Sequence, residues 1–194
     1  MFMEQLLLAT SNPGKRTEFA AALLSIVRLV HMLPRGVELP EETGETFLEN
    51  ALLKARSACA QTGMVTLADD SGLVVHALGG APGIFSARYA GPGATEEENR
   101  RRLLQDLQDV PNKARQAQFC AALAVAFPDG REVTATGSCA GEIAWEPSGR
   151  QGFGYDSLFY YPPLGCTFAE LSAAEKNKIS HRAGALSMLL KKLQ

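Results

Sequence analysis

The sequence predicts an α/β protein with a mixed central β-sheet flanked by helices. Three observations carry this. Short apolar runs of β-formers alternate with stretches of helical periodicity. Three of the helical stretches open on capping boxes: Thr46 with Glu49, Thr95 with Glu98, and Ser172 with Glu175. The β-rich runs Gln116 to Phe127 and Arg131 to Cys139, joined by Pro128-Asp129-Gly130, form a hairpin signal. A hairpin within a sheet otherwise fed by strand–helix units makes that sheet mixed rather than parallel.

In chain order, Gln5 to Thr10 reads as a buried first strand. Asn12 before Pro13 then starts a helix, with Asn as N-cap and proline at the first helical position. Phe19, Leu23, Ile26 and Val27 stand at helical spacing, while Ile26 to Leu33 also reads as a continuing strand. The helix opened by Thr46 carries Phe47, Ala51, Ala55 and Ala58 on one face, and Lys54 belongs to its solvated side. Met64 to Ala68 and Leu73 to Leu78 are strands on either side of Asp69-Asp70-Ser71-Gly72, which places the acidic pair in a turn. Gly79 to Tyr89 is a compact loop rich in glycine, proline and aromatics. The helix opened by Thr95 exposes Arg100, Arg101 and Arg102 to solvent. Gly141 to Trp145 is a candidate further strand. At the C-terminal end, Ile179, Ala183, Leu186 and Leu190 make an apolar stripe. Lys176 and His181 would point about 140° apart on one straight helix, so a shared ligand requires a break between them, with Ser180 as second N-cap.

The totals narrow the function classes. At 194 residues the chain is long enough for one domain, residues 1–194, burying roughly 70% of its unfolded surface. A net charge of −2 supplies no footprint for nucleic acid or an anionic membrane. Leu6 to Ala9 is too short for a signal sequence or a membrane span, and Met1 to Gln5 lacks a basic stretch. The four cysteines form no CxxC pair, which argues against zinc and points to reduced thiols in a cytoplasmic protein.

Several segments carry candidate chemistry beside a plain structural meaning. Thr10-Ser11-Asn12-Pro13-Gly14-Lys15 places free backbone N–H groups and a cation at a helix start, an anion site or simply a strand-to-helix turn. It lacks the glycine spacing of a Walker A loop. Asp69 and Asp70 repel each other unless a cation or proton joins them, yet Asp, Ser and Gly are also ordinary turn residues. Gly152-Phe153-Gly154-Tyr155-Asp156 lets backbone approach a flat ligand, with Phe153 or Tyr155 to stack on it, or is a glycine-rich hairpin turn. Lys176 and Arg182 are donors or surface charge; His181 is a donor or a buried structural histidine.

Together these motifs, with Glu41-Glu42-Thr43-Gly44, Phe47-Leu48-Glu49-Asn50-Ala51, Gly79-Gly80-Ala81-Pro82-Gly83 and Ser180-His181-Arg182, stand in an order that resembles the non-canonical purine NTP pyrophosphatases of the Ham1 and inosine triphosphatase family, nearly end to end. The resemblance implies two lobes flanking an active-site cleft, and a homodimer. It implies hydrolysis of ITP, dITP and XTP to monophosphate and pyrophosphate with Mg²⁺. Thr10, Ser11, Asn12, Pro13, Gly14 and Lys15 would hold the triphosphate. Glu41 and Asp70 would bind the metal, Asp70 would accept the proton, and Ser71 would touch substrate. Phe153, Gly154, Tyr155, Asp156, Lys176, His181 and Arg182 would form the nucleoside pocket. Two departures stand out: Ser11 replaces a common glycine, and Ser157 a common proline.

The donors Lys176, His181 and Arg182 suit the 6-oxo group of hypoxanthine or xanthine and leave the 6-amino group of adenine unmatched. A pyrophosphatase for other modified nucleotides, or a nucleotide-binding regulator without chemistry, would use the same pocket. A regulator has no need of Glu41, Asp70 and Lys15 together.

Overall fold

The computed structural model describes residues 3–23 and 27–194. Strand β1 (Met3–Ala9) leads through helix α1 (Pro13–Leu23) to β2 (Val27–Met32), which pairs with it in parallel. Helix α2 (Phe47–Thr62) leads to β3 (Thr66–Val75), the parallel neighbour on the other side of β1. After α3 (Glu96–Asp106) come β4 (Gln116–Ala126) and β5 (Glu132–Ile143), joined by the turn in which Gly130 donates to the Phe127 carbonyl. The short strands β6 (Phe159–Tyr161) and β7 (Cys166–Thr167) add antiparallel pairs, and α4 (Ala173–Ile179) and α5 (His181–Leu193) close the chain. The sheet order is β2-β1-β3-β4-β5-β6-β7, the mixed sheet that the sequence predicts. Among the described residues no helix is long and apolar enough to cross a membrane.

The local signals for helix starts hold. All three expected capping boxes form, at Thr46, Thr95 and Ser172. Ser180 is extended backbone (φ −70°, ψ 157°), so α4 and α5 are separate helices and the break expected between Lys176 and His181 is present.

Four expectations need correction. The acidic pair does not sit in a turn: β3 runs unbroken from Thr66 to Val75, with Ser71 and Val74 half-buried and its other residues buried. The turn preference of Asp and Gly is overridden because both carboxylates find cations within the fold. The strand after the pair stops at Val75, and His76–Leu78 is a single 3-10 turn closed by left-handed Gly79. Val27 opens β2 instead of extending α1, because its β-branched side chain packs into the sheet core; Ile26 lies outside the described residues. Gly141 to Trp145 is no new strand, since β5 itself continues to Ile143.

Internal packing divides the chain into two compact units. The first comprises Met1–Asp70, Ala121–Gly137 and Arg182–Gln194; the second comprises Ser71–Cys120 and Ser138–His181. In the first unit, strand alternation sorts side chains onto two faces. Leu6, Leu8, Leu67, Leu123 and Val125 face Phe19 and Leu23 of α1 and Leu186 and Leu189 of α5. Leu7, Ala9, Ala68, Ala122 and Ala124 face Ala51, Ala55 and Ala58 of α2, an interface small on both sides. The second unit has one core around Leu73, Leu103, Phe119, Leu158, Phe159 and Phe168. Phe119 and Phe159 pack tilted with centroids 4.5 Å apart, and Phe119 and Phe168 lie stacked at 5.9 Å. The expected C-terminal stripe is shared out: Ile179 packs with this core, whereas Leu186 belongs to the first unit.

Candidate active site

In the first unit the chemistry collects at the end of β1, the first turn of α1 and the middle of β3. Asn12 caps α1: its Oδ1 accepts from the Lys15 amide at 3.0 Å. Thr10, buried at the end of the β1 run, accepts from the Asn12 amide through Oγ1 at 3.2 Å, and its carbonyl takes the Arg16 Nε–H at 3.0 Å. Ser11 and Pro13 are exposed on the turn, and Gly14 is half-buried. This presents a helix start with Lys15 in its first turn, the arrangement that attracts anions.

Because alternate residues of a strand face opposite ways, Asp69 and Asp70 part company. Asp69 shares the face of Leu67, toward α1 and α5. Its Oδ2 lies 2.6 Å from Lys15 Nζ and 3.7 Å from Arg182 Nε. Arg182, at the start of α5, also donates to Glu18 Oε2 at 2.8 Å. Burial alone would raise the Asp69 pKa, but the charges of Lys15 and Arg182 and the Lys15 hydrogen bond outweigh it and hold the carboxyl well below its ordinary range. The Lys15 pKa is lowered as well, but for a different reason: burial lowers it, with the Asp69 charge opposing and Arg182 adding to the fall.

Asp70 shares the face of Ala68, toward α2. Lys54 Nζ donates to Asp70 Oδ1 at 2.8 Å and to Glu42 Oε1 at 2.7 Å. Asn50, one helical turn earlier, reaches Asp70 Oδ2 at 3.4 Å and accepts the Gly44 amide through its Oδ1 at 2.8 Å. A Cβ on Gly44 would lie 2.7 Å from that same Oδ1, so glycine is what permits the acidic loop to close on α2. Here burial raises the Asp70 pKa, Lys54 opposes the rise and the Glu42 charge adds to it, for a net upward shift. For Lys54, burial acts downward but the Asp70 and Glu42 charges prevail, so its pKa is raised. The two neighbouring aspartates are therefore poised in opposite directions, one a fixed anion and the other a base with raised proton affinity.

The Lys54 assignment to a solvated face is corrected by these contacts: its residue is 6% exposed. Of the acidic pair, Glu42 meets Lys54, whereas Glu41 is exposed and makes no ion pair among the described residues. No three His, Cys, Asp or Glu side chains among the described residues converge as a preformed metal cage. The donor chemistry nevertheless fits a hard divalent cation: Asp70 and Glu42 carboxylates share Lys54 and lie close enough that the Glu42 charge raises the Asp70 pKa, with Glu41 next to Glu42 in the chain.

The second unit holds the glycine-aromatic turn. Asp156 folds back so that its Oδ2 accepts the Phe153 amide at 2.9 Å and pairs with the buried Lys176 ammonium. Gly152 has φ +74°, and a Cβ there would run into the Asp156 carboxylate. Lys176, on α4, also lies over the rings of Phe153 at 5.0 Å and Phe168 at 5.8 Å. Phe153 and Gly154 are half-buried, but Tyr155 is a core residue whose hydroxyl donates to the Ser86 carbonyl at 2.9 Å. Of the two rings expected to stack on a ligand, Tyr155 is thus occupied by the core. His181 is buried and stacks on Phe119 with centroids 4.8 Å apart. Ser71, the residue after Asp70, is half-buried on β3.

The structure therefore joins Lys15, Asp69 and Arg182 in one cluster, Glu42, Lys54, Asn50 and Asp70 in a second, and Phe153, Asp156 and Lys176 in a third. The sequence groups Arg182 with Lys176 and His181; in the fold its guanidinium donates to Glu18 at 2.8 Å and lies 3.7 Å from Asp69. Asn50 stands in the sequence only as part of the Phe47 to Ala51 motif, with no role assigned; the available signal for one was the i, i+4 spacing of Asn50 and Lys54 on a helix whose neighbouring positions are alanines facing a core.

A mixed sheet carrying a capped helix start, buried cations and two oppositely poised carboxylates defines an α/β enzyme equipped for an anionic substrate. The Ham1 family model matches residues 6–192, and the chain belongs to that family. It is 50% identical over 193 residues to the dITP/XTP pyrophosphatase of Haemophilus influenzae, covering 98% of this chain and 99% of that protein. Against the dITP/XTP pyrophosphatase of Mannheimia succiniciproducens the identity is 52% over 195 residues, with 98% of each covered. Among solved structures, a Ham1 protein from Coxiella burnetii superposes with a TM-score of 0.88 at 42% identity, and the Ham1 protein of Staphylococcus aureus with 0.84 at 39%; each match covers 98% of both chains.

Proposed function

We propose that this chain hydrolyses the non-canonical purine nucleoside triphosphates ITP, dITP and XTP to the nucleoside monophosphate and pyrophosphate, clearing them from the cytoplasmic nucleotide pool. Family membership and the names of its relatives support the reaction class. The observation that carries the mechanism is the placement of Asp69 and Asp70 on the two faces of β3, the first against Lys15 and the second against a Lys54 that Glu42 shares.

Thr10 to Lys15 hold the triphosphate through the capped N-terminus of α1 and the Lys15 ammonium. Asp69 opposes the fall in the Lys15 pKa and holds its side chain in place. Asp70, with its raised proton affinity, accepts a proton from the attacking water, and Lys54 keeps the ionised form available. Asp70 and Glu41 hold Mg²⁺, Glu41 being the carboxylate of its pair that Lys54 does not already engage. When bound, the metal supplies Lewis-acid polarisation of the phosphate oxygens. Ser71 touches the substrate. Phe153, Gly154, Tyr155, Asp156, Lys176, His181 and Arg182 serve the nucleoside, Tyr155 through its backbone, and the donors Lys176, His181 and Arg182 favour a 6-oxo base. The enzyme acts as a homodimer.

A panel of nucleoside triphosphates, read by pyrophosphate release, tests this. The expected result is kcat/KM for ITP, dITP and XTP far above that for ATP and GTP, by up to roughly 10⁴-fold where buried donors go unmatched. Equal values for GTP and ITP would refute the assignment.

A further inference from the structure

We propose that Arg100 is a positioning residue for the nucleoside-binding turn, latching its backbone from α3; the inference rests on the assignment of Phe153 to Asp156 to the nucleoside. The sequence places Arg100 in a run of three arginines on a solvated face. The fold separates them. Arg101 and Arg102 are more than half exposed and pair within α3, with Glu97 at 3.0 Å and Asp106 at 3.0 Å. Arg100 is 25% exposed and its Nη1 donates to the Gly154 carbonyl at 2.6 Å, across 54 residues of chain. Glu96, 3.7 Å away, steadies the guanidinium from the preceding helical turn.

The turn needs such a latch. Gly152 and Gly154 both have positive φ (74° and 61°), so two of its residues have the widest conformational choice. The C-terminal half is tied down by Tyr155 to Ser86 and by Asp156 to Lys176. The direction of the Gly154 carbonyl, and with it the plane of the peptide that follows Phe153–Gly154, is set by Arg100. A charged donor on a carbonyl is a strong form of hydrogen bond, and this one holds the peptide that lies between Phe153, already fixed by Asp156, and the anchored Tyr155. Pre-ordering a binding segment lowers the cost of binding without touching the reacting atoms, so Arg100 acts on affinity. Its place on a helix start fixed by the Thr95 capping box makes the latch rigid at its root.

The test compares Arg100→Met, which keeps the aliphatic stem, with Arg100→Lys, which keeps a charged donor, and with Arg101→Met as the control on the same helix. Steady-state kinetics on dITP are read beside backbone amide exchange of residues 151–158 in the substrate-free protein. Arg100→Met is expected to raise KM about ten-fold with kcat within two-fold, the mark of lost uniform binding, and to speed exchange across the turn. Arg100→Lys restores most of both, and Arg101→Met changes neither. Unaltered exchange and KM in Arg100→Met, a loss confined to kcat, or an equal effect of Arg101→Met would each overturn the proposal. Wild-type turnover of dITP in the same assay tests the substrate assignment separately, since the exchange readout needs no substrate.

Discussion

Replacing Lys54 by methionine is the sharpest perturbation of the acidic side of the site. Methionine matches the length of the stem and removes only the charge. In the native protein one ammonium, with its side chain 8% exposed, serves Asp70 (7% exposed) at 2.8 Å and Glu42 (27% exposed) at 2.7 Å. Breaking a buried ion pair by deleting one partner costs about 3–5 kcal/mol, because the remaining charge stays buried and unpaired. The more exposed Glu42 contact adds at most about 1 kcal/mol, since solvent screens it. Losing Lys54 removes the main charge that opposes the rise in the Asp70 pKa, so the orphaned carboxyl is driven toward its protonated form and part of the strain is relieved. The expected loss is therefore about 3 kcal/mol in urea denaturation at pH 7, at an unchanged m-value. Adding Mg²⁺ should return more stability to Lys54→Met than to the wild type, because the metal then takes over the neutralising role. The double variant Lys54→Met/Asp70→Asn should be more stable than Lys54→Met alone, since the orphaned carboxylate is gone. A loss below about 0.5 kcal/mol, or a double variant less stable than the single one, would show that the bridge does not carry the charge balance inferred here.

Asp70→Asn should reduce turnover by roughly 10²–10⁴-fold while leaving nucleotide affinity nearly intact by calorimetry; near-wild-type turnover at saturating Mg²⁺ would exclude it as proton acceptor. Gly152→Ala forces a side chain into a left-handed backbone conformation and against the Asp156 carboxylate, so a loss of about 1–3 kcal/mol in denaturation is expected together with a raised KM for dITP; an unchanged melting profile would contradict the turn geometry. Tyr89, whose hydroxyl donates to Asp106 at 2.6 Å, has its pKa pushed up to about 12 by burial and by that hydrogen bond and charge. A raised phenol pKa means the folded protein holds its proton more tightly than the unfolded chain. That stability is fully present below pH 10 and is lost as pH rises toward 12. Denaturation midpoints of wild type and Tyr89→Phe between pH 8 and 11.5 should therefore converge with rising pH, and parallel curves would rule the linkage out.

What could be read from the sequence was whatever local chemistry determines. Capping at Asn12, Thr46, Thr95 and Ser172 depends on a side chain meeting a backbone amide two or three residues away, so all four were visible in advance. The break at Ser180 followed from helical geometry once Lys176 and His181 were required to face one ligand. What escaped were features decided at long range. Whether Asp69-Asp70 turns or stays extended depends on Lys15 and Lys54, 54 and 16 residues earlier in the chain, and neither local propensity nor spacing reports those partners. Lys54 read as solvated because lysine usually is; only the fold brings two carboxylates to it. Arg100 was indistinguishable from Arg101 and Arg102 until one of the three met a carbonyl from a distant turn.

The pairing of two carboxylates on adjacent residues is itself explained by the strand. In a turn, neighbouring side chains share one solvent-facing region and would titrate as a repelling pair. In an extended strand with helices against both faces they point apart, and each meets its own cations: Lys15 and Arg182 for Asp69, Lys54 for Asp70. The same alternation that sorts Leu67 from Ala68 into separate cores thus sorts an anion that anchors Lys15 from a carboxyl with raised proton affinity. Shifting the register of β3 by one residue would exchange these partners, giving Asp70 the two-cation environment that depresses proton affinity. The adjacent aspartates function as different groups because the strand's period of two assigns them to different helices.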